Sequence, residues 1–576
     1  MKSLMLGNAA VARGLYEAGC CVASSYPGTP STEITQSLSD YDEIYTEWAS
    51  NEKVAMEVAF GASLAGKRSF TGMKHVGLNV AADPLFTISY TGVNAGMVIA
   101  VADDQGMHSS QNEQDSRHYA KAAKLPMLEP ADSSECLNFA KYAYEMSEKY
   151  DAPVFIRMCT RISHSQSIVE LSGRIEQPVV EYVKNTAKYV MMPGAARIRH
   201  PIVEQRTRDL ITLAEDTFLN RVEMGGTEMG IITSGTAYQY VKEIFGNSVS
   251  VLKLGMVNPL PEKLIREFAS KVDKLVVVEE LDSIIEDHCK KLGLTVTGKD
   301  IFPVTGELSQ NLVAEKLGMP LKKGPVVEDV IPMRPPVMCA GCSHRGVFYT
   351  LSKKKVTVLG DIGCYTLGSA PPLSAMDMTV CMGASVSGLH GFVRGGGKNC
   401  VSVCGDSTFI HMGVNGLINI AYNGSNSTVI ILDNSTTGMT GHQDNPTTGY
   451  NIKGEPAGKI DLEALCKAIG IRRVRVIDPY DLKACDDAIT EEIAAPEPSV
   501  IIARRPCALL KTTKAKPPLT VDKGKCTGCS ICMRIGCPAI SMKDKKAGIN
   551  QTLCVGCDVC TQLCKFGAFT KTVREV

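Results

Sequence analysis

Short apolar runs alternate with Ala- and Gly-rich stretches of helical spacing along most of the chain. In residues 1–180 this alternation, with apolar runs such as Met97–Val101 and Val154–Ile156, predicts helices layered on parallel strands. Residues 181–225 are polar and marked by prolines, which predicts a linker with one helical segment. The predicted fold class is therefore α/β.

Two further blocks, residues 226–325 and 337–510, repeat the same pattern. In the first, strands and helices are predicted to alternate, beginning with a strand, at Met229–Thr233, Tyr238–Phe245, Val249–Leu254, Glu262–Ser270 and Lys274–Val278. In the second, strands are predicted at Val356–Leu359, Val401–Val403, Val429–Leu432 and Val500–Ile502. The Pro- and Val-rich segment Gly324–Pro336 marks a boundary, and Lys511–Leu519 is a short, stiff tether to a cysteine-rich tail at 517–576.

Composition narrows the functional classes. The chain has 576 residues, with 61 Lys and Arg against 61 Asp and Glu, so no excess charge favours nucleic acid or an anionic membrane as a partner. The N-terminal residues follow an amphipathic helix pattern and not that of a signal peptide. No stretch approaches the roughly 20 apolar residues that cross a bilayer. We therefore expect a soluble, cytoplasmic protein.

Cysteine is the exception, with 22 copies, eight of them in the tail. A disulfide framework is typical of small secreted chains, so metal is the better explanation. The tail contains two runs, Cys526-x2-Cys529-x2-Cys532-x4-Cys537-Pro538 and Cys554-x2-Cys557-x2-Cys560-x3-Cys564. Zinc, the alternative, is typically held by paired CxxC knuckles and not by two such triplets.

A C-x2-C-x2-C run places three thiolates around one face of a four-iron cube, and its trailing cysteine reaches the other cube, as in bacterial two-cluster ferredoxins. The predicted ligands are Cys526, Cys529, Cys532 and Cys564 for the first [4Fe–4S] cluster, and Cys554, Cys557, Cys560 and Cys537 for the second. Two departures, the extra residue before Cys537 and Lys565 in place of proline, are expected to alter a cluster's potential or stability more than its presence.

Oxygen ligands follow two strands of the 337–510 block. Gly405-Asp406-Ser407 comes directly after Val401–Val403, and Asp433-Asn434-Ser435-Thr436 comes directly after Val429–Leu432. The carboxyl ends of parallel strands form the edge where ligands bind, and Mg²⁺ prefers oxygen ligands that it shares with a diphosphate. A glycine–aspartate strand end with an unrelated downstream asparagine is the alternative.

The spacing resembles the magnesium and thiamine diphosphate motif, with Ser407 in place of the usual second glycine. By that resemblance Gly405 adjoins the cofactor, Asp406 and Asn434 bind Mg²⁺ through their side chains, and Thr436 adds its backbone carbonyl. Met382 matches the bulky residue that bends thiamine diphosphate into its reactive shape; packing in the core is the alternative.

The N-terminal block holds a candidate catalytic carboxylate. Glu52 opens a helix of small residues and stands where thiamine enzymes keep the glutamate that bonds N1′ of the aminopyrimidine. A buried glutamate with a raised pKa can hold that proton and activate the cofactor. The alternative is an acidic side chain that complements the helix dipole.

With these residues assembled, the chain resembles the thiamine diphosphate-dependent 2-oxoacid:ferredoxin oxidoreductases, and among them the large (alpha) subunits of the indolepyruvate enzymes. The resembling segments are SYPGTPSTE (25–33), EWASNEKVAMEVAFGASLAG (47–66), MKHVGLNVAADPL (73–85), MCAGCSHRG (338–346), GDSTFIHMG (405–413) and LDNSTTGMTGHQ (432–443). The resemblance implies a pyrimidine-binding domain at 1–180, a transketolase C-terminal-like domain at 226–325, a diphosphate-binding domain at 337–510 and an α+β two-cluster ferredoxin domain at 517–576.

The resemblance also implies an activity and partners. Aryl 2-oxoacids such as indole-3-pyruvate would be oxidatively decarboxylated, with coenzyme A taking the acyl group and ferredoxin the electrons. The family's smaller catalytic domain is missing, which implies a separate beta subunit in a heterodimer or a dimer of heterodimers. His75 and the Tyr26–Ser31 loop would line the substrate side, although a histidine in such a loop is as often a plain polar residue. Glu52 and Asp406 of one active site can come from different copies of the chain.

A third cluster is suggested by Cys339, Cys342, Cys364 and Cys507, which resemble the cysteines of the cluster nearest to thiamine in pyruvate-oxidising relatives. The alternative is that Cys364 and Cys507 are small buried hydrophobic residues. Three other functions stay open: oxidation of pyruvate or 2-oxoglutarate, non-oxidative decarboxylation, and electron transfer by a subunit whose thiamine domains are inactive.

Overall fold

The computed structural model describes residues 1–321, 324 and 328–571. The chain divides into two compact units, Met1–Val327 and Glu328–Val576. In each unit, helices cover sheets of mostly parallel strands.

In the described part of the first unit, the strands β1–β13 are Lys2–Leu6, Val22–Ser25, Tyr45–Trp48, Ser69–Lys74, Met97–Asp103, Met127–Leu128, Val154–Cys159, Gln166–Glu170, Arg221–Glu223, Met229–Ser234, Ser250–Leu254, Met256–Asn258 and Lys274–Val278. The helices α1–α14 are Gly7–Glu17, Thr32–Leu38, Glu52–Leu64, His75–Val80, Ala82–Thr91, Arg117–Ala123, Ser133–Tyr150, Thr160–His164, Thr186–Tyr189, Pro193–Glu215, Gly235–Phe245, Glu262–Ala269, Ile284–Lys291 and Gln310–Lys316.

The main sheet of the first unit has seven strands in the order β12-β6-β7-β5-β4-β2-β3. All are parallel except β12, which pairs antiparallel with β6. Strand β5 is an unbroken apolar run up to its terminal aspartate and is buried along its whole length, because a parallel sheet is covered on both faces. Helix α3 follows β3 and helix α4 follows β4 directly, so both begin at the carboxyl edge of this sheet.

A second sheet has the order β13-β10-β11-β9, in which only β9 is antiparallel. Strands β1 and β8 form a separate antiparallel pair.

The second unit begins with a parallel sheet in the order β14-β15-β16-β18-β17. Its strands β14–β18 are Thr357–Gly360, Cys400–Gly405, Thr428–Asp433, Arg473–Ile477 and Ser499–Arg504, and its helices α15–α20 are Arg345–Lys354, Ala384–Arg394, Asp406–Thr408, Val414–Asn423, Leu462–Ala468 and Leu482–Ile493. A 3-10 helix spans Cys364–Ser369, and a π-helical turn, Phe409–Gly413, joins α17 to α18. π-turns of this kind are frequent at functional sites.

The tail forms two antiparallel strand pairs, β19 (Leu519–Val521) with β22 (Phe569–Lys571) and β20 (Ile540–Lys543) with β21 (Lys546–Ile549). Short 3-10 helices at Ile531–Ile535 and Cys560–Leu563 carry part of the cysteine runs. The cysteines and a few aliphatic side chains form the core of this region. Residues 572–576, the end of the predicted ferredoxin domain, lie outside the described residues.

The predicted α/β class and its parallel strands are confirmed, and each predicted strand begins within one residue of an observed one. The predicted linker is more structured than expected: it holds two helices, α9 and α10, and strand β9 of the second sheet. One helical segment was predicted there without bounds, and the 23-residue helix α10 continues through Pro201, with Val203, Leu210 and Ala214 buried. The Gly324–Pro336 boundary and the end of the 226–325 block fall partly on residues that the structure does not describe. No helix in the described ranges is both long and apolar enough to cross a membrane.

Candidate active site

Glu52 lies at the first position of α3, at the carboxyl edge of the seven-stranded sheet. The Asn51 side chain caps this helix by accepting a hydrogen bond from the Val54 N–H at 2.9 Å. The Glu52 side chain is buried, and a Cβ added at Gly77 would lie 2.7 Å from both its Cγ and its Oε1. Gly77 therefore leaves the space that the Glu52 carboxylate occupies.

His75 begins α4, one strand away from Glu52. Its Nε2 lies 3.1 Å from the Asn112 carbonyl oxygen and 3.3 Å from Asn112 Oδ1. The ring is 1% exposed, and its Nδ1 has no hydrogen-bond partner among the described residues. A buried ring nitrogen without a partner is costly, so a ligand or a water molecule at Nδ1 would relieve that cost.

Lys74, which the sequence interpretation missed, adds a positive charge to this edge. Its Nζ donates to the Ser109 carbonyl oxygen at 2.9 Å. Burial lowers the pKa of Lys74, and the nearby carboxylates of Asp104 and Glu52 oppose that shift. The only feature of the sequence that could have indicated a functional role for Lys74 is its position directly before His75, at the end of a strand.

In the second unit, Asp406 and Asn434 follow the neighbouring strands β15 and β16, and Gly405 is the last residue of β15. One end of the Asn434 side-chain amide lies 3.2 Å from Asp406 Oδ1 and 2.8 Å from the Thr436 carbonyl oxygen. An amide nitrogen at that end donates a hydrogen bond to both oxygens. An amide oxygen there forms with them a set of three facing oxygens, the three-oxygen site, which a cation between them would stabilise. Adjacent ligands of an octahedral Mg²⁺ lie about 2.9 Å apart, so the observed separations fit this ion.

The Asp406 carboxylate is fully enclosed. It accepts hydrogen bonds from the Ser407 N–H at 2.8 Å and from Thr447 Oγ1 at 3.2 Å. Burial, reinforced by the nearby charge of Asp433, raises the pKa of Asp406 to about 7. A bound cation would supply the positive charge that this site lacks.

Met382 is half-buried in the turn before α16. A second missed residue, Asp361, holds this turn, because its carboxylate accepts from the Gly383 N–H at 2.8 Å and the Ser385 N–H at 3.1 Å. Burial raises the pKa of Asp361 to about 6. Its sequence signal was a Gly-Asp pair at the end of β14, like the pair at Asp406.

Each predicted cysteine set of the tail lines a cavity of its own. Cys526, Cys529, Cys532 and Cys564 surround a space of about 360 Å³, and Cys537, Cys554, Cys557 and Cys560 surround one of about 450 Å³. Backbone N–H groups of Ala547, Ala568 and Leu519 lie 3.4 Å from the sulfur atoms of Cys526, Cys564 and Cys554. Such N–H···S bonds stabilise negative charge on cluster sulfur.

In the described ranges, no three His, Cys, Asp or Glu side chains converge closely enough to hold one metal ion. The ligands of a four-iron cube stand at its corners, farther apart than around a single ion. The cluster assignments therefore remain predictions.

The cysteines of the suggested third cluster lie together in the second unit. Burial raises the pKa of Cys364 to about 11, and the charges of Cys507 and Cys339 add to that shift. Burial likewise raises the pKa of Cys342, with Cys339 and Cys364 as charged neighbours. A Cβ added at Gly438 would lie 3.4 Å from Cys364 Sγ and 3.8 Å from Asn434 Nδ2. This cysteine group therefore adjoins the three-oxygen site.

The same group also adjoins the tail. Cys342 and Arg345 line the 450 Å³ cavity together with the second tail set. A Cβ added at Gly341 would lie only 2.1 Å from Val555 Cγ2, within the second cysteine run. The third cysteine group thus lies next to both the three-oxygen site and the second cysteine set of the tail.

Two family models match the chain. "Pyruvate flavodoxin/ferredoxin oxidoreductase, thiamine diP-bdg" matches residues 13–213, which include Glu52 and His75. "Thiamine pyrophosphate enzyme, C-terminal TPP binding domain" matches residues 361–503, which include Asp406 and Asn434. Each matched range thus includes one of the two groups of candidate residues.

Curated relatives match over nearly their full length. The indolepyruvate oxidoreductase subunit IorA of Archaeoglobus fulgidus is 41% identical over 98% of this chain and 96% of its own. IorA of Pyrococcus horikoshii is 39% identical over 100% of this chain and 97% of its own. Among solved structures, the 2-oxoglutarate:ferredoxin oxidoreductase from Magnetococcus marinus matches over 55% of this chain and 65% of its own, with a TM-score of 0.47 and 16% identity. The likeness to IorA subunits extends over nearly the whole chain.

Proposed function

The chain belongs to the family of indolepyruvate oxidoreductase IorA subunits, thiamine diphosphate enzymes of 2-oxoacid oxidation, and we propose that it oxidises aryl 2-oxoacids such as indole-3-pyruvate and passes the electrons through its own iron–sulfur clusters. Carbon dioxide leaves, coenzyme A takes the acyl group, and a ferredoxin receives two electrons, one at a time. The observation that carries the proposal is that one unit, Glu328–Val576, contains both a three-oxygen site suited to Mg²⁺ and two cavities each lined by four cysteines.

Thiamine diphosphate, when bound, supplies a nucleophilic carbon for the 2-oxo group and accepts the electrons left by decarboxylation. Asp406, Asn434 and the Thr436 carbonyl hold the Mg²⁺ that binds its diphosphate. Glu52, a buried carboxylate at the carboxyl edge of the seven-stranded sheet, would hydrogen-bond the aminopyrimidine ring and exchange a proton with it. The partnerless Nδ1 of buried His75 supports a place for it on the substrate side.

Clusters held by the cysteines pass the electrons from thiamine to ferredoxin. The closeness of Cys364 Sγ to the position that a Cβ of residue 438 would take supports a third [4Fe–4S] cluster, held by Cys339, Cys342, Cys364 and Cys507, as the first acceptor. The cavity that Cys342 shares with the second tail set supports transfer to the second tail cluster next, and then to the first. The assignment of residues 517–576 as a two-cluster ferredoxin domain belongs to this proposal.

The proposal includes a partner. A separate beta subunit completes the enzyme, in a heterodimer or a dimer of heterodimers. Because [4Fe–4S] clusters need reducing surroundings, the cytoplasm is the proposed location. The domain boundaries 1–180, 226–325 and 337–510 likewise belong to this proposal.

The test is an anaerobic assay of the chain co-expressed with its beta subunit. Ferredoxin reduction is followed with coenzyme A and each of indolepyruvate, phenylpyruvate, pyruvate and 2-oxoglutarate. We expect arylpyruvates to have the highest kcat/KM, and a preference for pyruvate or 2-oxoglutarate would overturn the substrate assignment. Glu52→Gln should abolish turnover but leave the iron content unchanged; unchanged turnover would overturn the role of Glu52.

A further inference from the structure

Arg345 is a buried cation between two groups of cysteines. It is the first residue of α15 and only 4% exposed. Its guanidinium donates to the backbone carbonyls of Met338, of Cys339 at 3.1 and 3.2 Å, and of Ile535 at 3.0 Å. It therefore joins the loop of the third cysteine group to the turn that precedes Cys537.

These partners leave the charge of Arg345 without a counter-ion. Its hydrogen-bond acceptors among the described residues are all neutral carbonyls, and no carboxylate among those residues forms an ion pair with it. A buried, unpaired guanidinium is strongly unfavourable, so buried charges are normally paired. Holding these two loops together does not by itself require a charged side chain, because a neutral side-chain amide can also donate hydrogen bonds to carbonyls.

The groups that surround the guanidinium indicate what balances it. Burial lowers the pKa of Arg345, and the charges that oppose this shift belong to Cys537, Cys342, Cys339 and Cys557. Two of these cysteines belong to the third group and two to the second tail set. Arg345 also lines the cavity of that tail set.

We propose that Arg345 is the counter-charge of the third cluster and the second tail cluster, and that it favours their reduced forms during electron transfer. A [4Fe–4S] cluster with four thiolates is negatively charged and gains one more negative charge when it accepts one electron, without any bond made or broken. A fixed guanidinium beside two clusters stabilises that added charge and raises their reduction potentials. The inference rests on the proposed function, since the electrons come from 2-oxoacid oxidation and leave to ferredoxin.

The test measures iron and the midpoint potential of each cluster, by anaerobic redox titration followed by electron paramagnetic resonance on the full chain with its beta subunit. Arg345→Gln removes the charge, Arg345→Lys keeps it with fewer donors, and Lys353→Gln is the control, because it removes a positive charge from the exposed end of the same helix. We expect Arg345→Gln to lower the potentials of two clusters so that the ratio of reduced to oxidised cluster falls about tenfold at fixed potential, which is about 59 mV for one electron. Arg345→Lys and Lys353→Gln should keep wild-type potentials.

Each outcome decides the inference. The inference is overturned if Arg345→Gln keeps its iron and its cluster potentials are unchanged. It is also overturned if Arg345→Lys lowers the potentials as far as Arg345→Gln does, or loses as much iron. Loss of iron in Arg345→Gln with retention in Arg345→Lys supports the need for the charge. Iron near eight instead of about twelve per chain in the wild-type protein would overturn the third cluster of the proposed function, whereas twelve irons with insensitive potentials would overturn only the role of Arg345.

Discussion

Gly77→Ala tests whether the exact position of Glu52 matters for catalysis. The added Cβ would lie 2.7 Å from Glu52 Cγ and Oε1, whereas ordinary contact begins at 3.4 Å, so the carboxylate must move by about 0.7 Å or more. A displacement of about 1 Å of a catalytic group can cost about 10²-fold in rate, or about 2.7 kcal/mol of transition-state stabilisation. We expect kcat to fall by roughly that factor.

Gly61→Ala is the matched control. Gly61 lies inside α3, as Gly77 lies inside α4, and a Cβ added there meets no atom within 4 Å. Both substitutions favour the helix by up to about 1 kcal/mol, so loss of helix propensity cannot explain a difference between them. Gly61→Ala should keep wild-type activity and raise Tm slightly.

The assay is anaerobic ferredoxin reduction by the complex with indolepyruvate, together with thermal unfolding, bound thiamine diphosphate and iron content. If Gly77→Ala folds, binds its cofactors and turns over like Gly61→Ala, the position of Glu52 is not critical and its catalytic role is wrong. Glu52→Gln gives the residual turnover without the carboxylate, and it should be less active than Gly77→Ala.

Four other predictions follow from the second unit and the tail. Burial raises the pKa of Asp406 to about 7, so Mg²⁺ must displace a proton from this carboxylate below that pH. The apparent affinity for Mg²⁺, measured by cofactor titration, should therefore fall up to tenfold per pH unit below about pH 7. Above that pH it should stay level. Asp406→Asn should lose Mg²⁺-dependent cofactor binding at every pH; pH-independent affinity in the wild type would contradict the assignment. Cys532→Ser should lower iron and sulfide, whereas Cys485→Ser, which changes a buried cysteine outside all three groups, should not; equal iron in both would refute the tail ligands. Gly438→Val should weaken both thiamine binding and the third cluster, seen as lower iron in the same sample, because its side chain would enter the space between Cys364 and Asn434; full occupancy of both would refute their proximity.

The site residues that could be predicted from the sequence are those whose positions depend on short, local segments of the chain. The cysteine runs position their ligands within a few residues of one another, and each predicted set lines one cavity. Asp406 and Asn434 could also be found, because each follows an apolar run and parallel strands bring their ends to one edge. These features depend on short segments that the sheet then aligns.

The residues that were missed come together only in the folded chain. Gly77 matters because α4 packs against Glu52, and Asp361 matters because the end of β14 meets the turn before α16. Arg345 lies 190 positions from Ile535, whose carbonyl it bonds. The sequence predicted a helical segment in the linker but not the bounds of α10, which continues through Pro201 because burial of its apolar face outweighs the local penalty of the proline.

The central claim is that thiamine-dependent oxidation of a 2-oxoacid delivers single electrons to clusters held by this chain. The most direct measurement adds indolepyruvate, without ferredoxin, to the anaerobic complex loaded with thiamine diphosphate and Mg²⁺, and follows electron paramagnetic resonance after rapid freezing. The account predicts the signals of reduced [4Fe–4S] clusters within a single turnover, and none in Glu52→Gln. Clusters that dithionite reduces but indolepyruvate leaves oxidised in the wild-type complex would contradict it.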